Sequence, residues 1–271
     1  MVVSSLRAVH RALALAALTV LATVTLALPG TIVAQQPTTA QHGTDSLPPA
    51  RQIIDRYVQA IGGRDAVMKH TSSRSFATFS APGAGLTGHV ESILAAPDRS
   101  SVRISIPGLG EQLTGFDGSH GWSIDPSSGP RLLEGKELES LKADHDLYES
   151  LHDPARFTSI ETVERIDFEG RPCYKLKLVR TNGDTFYEFY DVSTGLLAGS
   201  IITAQTVMGP IEATNVVSDY KPFGGILIPT TAIQRAQQQE YRITIDSVVF
   251  DNVSADAFAP PAPIQALLKG Q

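Results

Sequence analysis

Asp117, Ser119 and His120 put a carboxylate, a hydroxyl and an imidazole within four positions. These are the residue types of a nucleophilic triad, in which imidazole takes the serine proton and the acid orients the ring. Close neighbours in one turn rarely converge in the geometry that chemistry needs. No Gly-x-Ser-x-Gly elbow occurs elsewhere, so no catalytic residue is expected. His145 and His152, among Asp144, Asp146, Glu149 and Asp153, are metal-ligand types. Their seven-residue gap keeps both imidazoles on one face of an unbroken helix but does not match the tight i, i+4 zinc pair. A solvated, charged helix face is the reading this spacing supports, and no metal or cofactor is expected. Pro107-Gly108-Leu109-Gly110 holds a Gly-x-Gly but opens no helix, so it is not a phosphate cradle. Cys173 is the only cysteine, which rules out an intramolecular disulfide. It has no activating neighbour in sequence, so it reads as a small buried residue.

The elements around these residues are mostly strands. Ile53, Ile54, Tyr57, Val58 and Ile61 fall at helical spacing between Ala50 and Ile61. This apolar stripe must cover something. Gly62-Gly63 then ends the helix, and Asp65–His70 can add a short second one. From Ser75 onward, short β-favouring runs alternate with turn signals, the pattern of an antiparallel meander. Val102, Ile104 and Ile106 oppose Arg103 and Ser105. Likewise Tyr174, Leu176 and Leu178 oppose Lys175 and Lys177. One face is therefore wet and the other covered. Asn182-Gly183 predicts a two-residue hairpin turn. Leu132 to about Phe157 interrupts the meander with Leu138, Leu141, Leu147, Tyr148 and Leu151 among charges, which reads as a helical insert broken near Asp153-Pro154. Roughly a dozen strands should curl or partly close. Curling around the helices would make an apolar hollow.

The start of the chain carries an address. Arg7, His10 and Arg11 precede an uncharged Ala/Leu-rich run from Ala12 to Leu28, and Ile32-Val33-Ala34 offers a cleavage site. Residues 1–34 therefore read as a secretory signal peptide, with no lipid-accepting cysteine near the break. Residues 35–49 read as a disordered spacer, 50–262 as one domain, and 263–271 as a C-terminal tail. The formal charge is −6; residues 1–34 hold two of the 22 basic residues and no acid, so the remaining 20 bases against 28 acids leave −8. An acidic body argues against nucleic acid and against a polybasic membrane patch. The expected location is the periplasm or outside the cell.

Several turn and strand-end patterns carry a resemblance. They are Ala60-Ile61-Gly62-Gly63, Pro107-Gly108-Leu109-Gly110, Gly115-Phe116-Asp117-Gly118 with Gly121-Trp122, Asp125-Pro126, and Gly129-Pro130-Arg131-Leu132-Leu133. Asp191 with Thr194-Gly195-Leu196-Leu197, and Ser218-Asp219-Tyr220 with Gly225-Ile226-Leu227-Ile228-Pro229, complete the set. Together they make residues 50–260 resemble the periplasmic lipoprotein-sorting superfamily of LolA/LolB-like folds. The resemblance implies a mainly β (α+β) fold. Its core is an incomplete antiparallel barrel of about eleven strands, with the N-terminal helix and the central insert covering the concave face. In its best-known members the hollow holds acyl chains of lipoproteins in transit. A lipid or acylated protein is then the expected partner, with transient membrane contact. Alternation and the idea of a helical lid select Ile104, Ile106, Leu113, Phe116, Trp122, Leu138 and Leu141 as candidate lining. Phe116 and Trp122 read either as core aromatics flanking a hairpin turn or, functionally, as aromatics at the mouth of the hollow. The alternative is an envelope protein–protein or stress-sensor module with no small ligand.

Overall fold

Helix α1 (Ala50–Ala60) forms where the apolar stripe predicts it, and Ile53, Ile54, Tyr57, Val58 and Ile61 are all buried. The computed structural model describes residues 46–206, 209–237 and 239–270. The expected signal peptide and most of the spacer lie outside the described residues. The chain leaves α1 through Gly62, at φ +123°, where a Cβ would stand 2.6 Å from the carbonyl oxygen of Gly225. Leu227 N–H donates to Ile61 O at 2.9 Å across the same contact. Two segments of the family-like pattern thus meet here, the end of α1 and the start of β12. Short α2 (Arg64–Met68) follows.

Thirteen strands make one antiparallel sheet in the order β6-β5-β4-β3-β2-β1-β13-β12-β11-β10-β9-β8-β7. They are β1 (Ser72–Ala81), β2 (Leu86–Ala95), β3 (Arg99–Ile106), β4 (Gly110–Phe116), β5 (Gly121–Asp125), β6 (Gly129–Leu133), β7 (Phe157–Phe168), β8 (Arg171–Arg180), β9 (Thr185–Asp191), β10 (Leu197–Thr206), β11 (Gly209–Phe223), β12 (Ile226–Ala236) and β13 (Gln239–Phe250). The count exceeds the eleven expected partly because β6, with its Pro130 and Arg131, lacks strand character in sequence. An edge strand tolerates such a proline, since one row of its N–H groups has no ladder partner. The turn at Asn182-Gly183 is longer than the predicted two residues. Gly183 takes φ +86°, and Arg180 N–H reaches Asp184 O at 2.8 Å, so three residues rather than two lie inside the bonded pair between β8 and β9. The expected tail holds helix α4 (Ala262–Lys269), which packs against β6 and buries Ile264.

The sheet is rolled, and side-chain reach proves it. Asp144 bonds Arg180 in β8, while the next residue, His145, bonds Ser100 in β3. These strands are eight steps apart in the order. In a flat sheet that is about 38 Å at the usual strand spacing. Two adjacent residues, with Cα atoms about 3.8 Å apart, cannot span it. The sheet therefore curls until β3 and β8 face one another, and α1 lies within the curl. The main core sits on this concave face. It joins the α1 stripe to Phe79, Val90, Leu94, Val102, Ile104, Leu176, Leu178, Phe186, Tyr190 and the inward residues of β10–β13. The ends, β6 and β7, do not pair among the described residues, so the barrel stays open.

The convex face carries two smaller clusters. Phe168 and Phe189 stack at 3.9 Å beside Ala198 and Cys173. Cys173 is fully buried, and burial, with Asp191 nearby, pushes its thiol up to about 11. It is an inert packing residue. Ile93 and Ala95 are covered by Phe258.

Candidate functional site: a strapped concave face

Residues 134–156 run from one sheet edge, β6, to the other, β7, and act as a strap over the concave face. The strap begins with α3 (Gly135–Asp144) and continues through two short 3-10 turns, Glu149–Leu151 and Pro154–Arg156. Leu138 and Leu141 of α3 settle on Phe116 and Leu133. Gly121 makes room, since a Cβ there would stand 2.5 Å from a Leu138 methyl. Leu147 and Leu151 enter the main core.

Charged and polar groups fasten the rest. The expected solvated face at 144–153 is instead buried apart from Asp153: Asp144, His145, Asp146, Glu149 and His152 are each under a tenth exposed. The sequence reading failed because the helix ends at Asp144 and the chain then folds inward. Arg180 donates to Asp144 Oδ1 at 2.8 Å and to Glu149 Oε1 at 2.5 Å. Arg156 pairs with Asp146. His145 Nδ1 lies 2.9 Å from Ser100 Oγ. His152 Nε2 meets Glu188 Oε2 at 2.8 Å, and Tyr190 donates its hydroxyl to the same oxygen at 2.5 Å. Arg51 of α1 donates to His152 O at 3.2 Å. Helix and strap are thereby joined to each other as well as to the sheet.

A cavity of about 170 Å³ opens between α1 and the β8–β9 side of the sheet. Its walls are mainly apolar, from Pro48, Ile53, Tyr174 and Tyr190, with Gln52 and Arg56 at α1. Arg56 donates to Val192 O and Ser193 O at 2.8 and 2.7 Å, which ties α1 to the β9–β10 turn. Asp191 shapes that turn. Burial works against its ionisation, but hydrogen bonds from Ser193 and Thr194 outweigh this and hold its carboxyl below the ordinary range. Tyr57 meets Tyr190 edge-on at 5.4 Å and His152 at 6.3 Å. The cavity wall is thus continuous with the strap's histidine.

The seven candidate lining residues separate into three groups. Ile104 and Ile106 lie on the concave face at the main core. Phe116, Leu138 and Leu141 share the small core under α3. Leu113 and Trp122 lie on the convex face. Phe116 stands across from Ser100, which faces the strap, so its neighbour Gly115 points outward. Trp122 pairs with Gly115 and its ring would touch a Cβ there at 2.6 Å. Leu113, two residues from Gly115, shares that face. None of the seven borders the 170 Å³ cavity. Ile53 was legible on the α1 stripe, whereas β9 carries aromatic residues on both faces, so nothing in sequence singled out Tyr190. Arg56 and Pro48 gave no signal. At the Asp117–His120 turn, Asp117 Oδ1 accepts from the N–H groups of Ser119 and His120, both at 2.7 Å. That is a turn-forming role.

Comparison with solved structures identifies the architecture. The chain is similar to a LolA-superfamily protein from Nitrosomonas europaea, with TM-score 0.53 and 14% identity over 79% of this chain and 99% of that one. The fold is LolA-like. A DUF1329-family protein from Desulfovibrio piger matches at TM-score 0.54 and 14% identity, over 80% of this chain and all of that one. A putative outer-membrane lipoprotein-sorting protein domain from Vibrio parahaemolyticus matches at 0.50 and 12%, over 80% and 97%. No protein-family profile matches the sequence, and comparison with curated proteins returns no match. At these identities the LolA-like likeness concerns the fold.

Proposed function

We propose that this protein is an exported binding or carrier protein for a ligand with an apolar chain, such as a lipid or an acylated protein. The ligand is held between α1, the strap and the concave sheet. The observation that carries this is the apolar cavity beneath α1. Its roof belongs to no ladder of the sheet and is fastened by side chains and a few main-chain contacts.

Magnitudes define how it would work. An engineered cavity of about 150 Å³ admits benzene, whereas ligand pockets run from roughly 300 to 1,000 Å³. The closed form thus has room for a ring or a short chain end, and a full acyl chain needs α1 or the strap to lift. Each methylene leaving water returns about 0.8 kcal/mol, so a long chain can offset the displaced packing. The LolA-like fold and the lipoprotein-sorting description of one structural neighbour agree with an acylated cargo in the periplasm. Among the described residues no serine, threonine or cysteine lines the cavity, and binding rather than turnover is the reading.

The test uses mature protein purified without detergent and loaded with a fluorescent fatty-acid analogue. Saturable displacement by a fatty acid, a monoglyceride or an acylated peptide is expected. Failure of every apolar competitor to displace it, or of the analogue to bind at all, removes the proposal.

A further inference from the structure

Four buried polar residues form a row across four neighbouring strands. Glu188 in β9 stands opposite Ser200 in β10, Ser200 opposite Asn215 in β11, and Asn215 opposite Gln234 in β12. Their exposures are 0, 4, 2 and 0%. All four point to the concave face, because the residues two positions away on each strand (Tyr190, Ile202, Val217 and Ala232) belong to the main core. Such a row is unusual inside an apolar wall, where polar groups are tolerated only when bonded.

The bonding is incomplete. Asn215 Nδ2 donates to Ser200 Oγ at a long 3.4 Å. Asn215 Oδ1 is buried and has no hydrogen-bond donor among the described residues. A bare acceptor there lowers stability, while a leucine of similar shape would not. The row also connects with the cavity. Tyr190 is a cavity wall, and its hydroxyl rests on Glu188, the first member. A chain end that displaced the Tyr190 ring would enter the concave face beside Glu188.

We propose that this row recognises a hydrogen-bond donor on the ligand. The ligand class is then a neutral amphiphile that carries a hydroxyl or an amide N–H on an apolar chain. The row has a bare amide oxygen at Asn215, a carboxylate two strands away at Glu188, and no lysine or arginine, so a fatty-acid anion finds no cationic partner there. This rests on the apolar-ligand reading above and specifies its chemistry.

The test compares four competitors that share one saturated acyl chain: the monoglyceride, the N-methyl amide, the methyl ester and the free acid anion. Each displaces the same fluorescent probe from the mature protein. The monoglyceride or the amide is expected to bind about tenfold more tightly than the ester, which has no donor. The tighter of the two arms names the donor as hydroxyl or amide. In Asn215→Leu the advantage over the ester should vanish. Equal binding of all four by the unmodified protein, or an advantage that survives Asn215→Leu, overturns the inference while the apolar-ligand reading stands. If none of the four displaces the probe, both fall. Should Asn215→Leu fail to fold, the comparison on the unmodified protein still decides.

Discussion

His145 lies under the strap with its imidazole on Ser100 and only 4% of its surface exposed. Burial pushes its pKa down to about 4, against the opposing pull of Asp144 and Glu149. In the unfolded chain the ring titrates near 6.5. Between these values the unfolded state binds the extra proton, so stability falls as the pH drops from about 6.5 to about 4. The loss amounts to about 3 kcal/mol at the bottom of that window, and above it this group adds no slope. Urea denaturation at pH 7 and pH 4.5 reads this. His145→Gln should flatten the slope, and an unchanged slope in that variant would show that other groups cause it. A separate loss belongs below the window. Burial opposes ionisation of Asp251, but hydrogen bonds from His70, Thr71 and Ser72 outweigh it and hold the carboxyl low. That contribution disappears only as the pH falls through its depressed value. None of this was legible in the sequence, where His145 sat among charges and read as solvated. Its partner Ser100 is 45 positions away.

Among the elements, the strap depends most on one side chain. Arg180 is 6% exposed and lies between Asp144 and Glu149, which are equally buried. Removing the cation leaves two carboxylates facing each other out of water, a change that typically costs about 3–5 kcal/mol. Arg180→Leu is therefore expected to lower unfolding stability by that order, or to raise exchange of strap amides if the strap opens locally. A stability and an exchange pattern both equal to the parent's would show that the strap is held by its leucines alone. Helix α1 was legible throughout, because a stripe at 3.6-residue spacing is a local property of the chain. The meander was legible for the same reason. The strap was not. Its leucines and charges suit a surface helix equally well, and the choice was made by Arg180 and Glu188 on strands beyond it in sequence.

For the whole molecule, the proposed uptake would be governed by the small cavity. If a long chain enters only when α1 or the strap has lifted, uptake is limited by that opening. The observed rate constant for a fluorescent acyl probe should then level off as probe concentration rises. A rate that climbs in proportion to concentration throughout would mean the hollow stands open already. The same rolled geometry explains the fate of the seven candidate lining residues. Alternation correctly separates two faces on each strand, yet it does not say which face of β4 and β5 is concave. Leu113 and Trp122 went to the outside once Phe116 turned toward α3.

The chain's own residue pattern determined an antiparallel sheet, one amphipathic helix before it and a break in the meander from about Leu132 to Phe157. Periodicity, turn residues and strand-forming runs act over a few positions, so they can be read without coordinates. Tertiary structure alone decided the rest. It set how far thirteen strands curl, which end of the curl keeps a cavity, and which ionisable groups leave water. Each of these depends on partners far apart in sequence, such as Arg180 with Asp144 and Glu149, His145 with Ser100, or Arg56 with Val192. Burial of a charge follows from who faces it across the fold, and a neighbour in sequence says nothing of that.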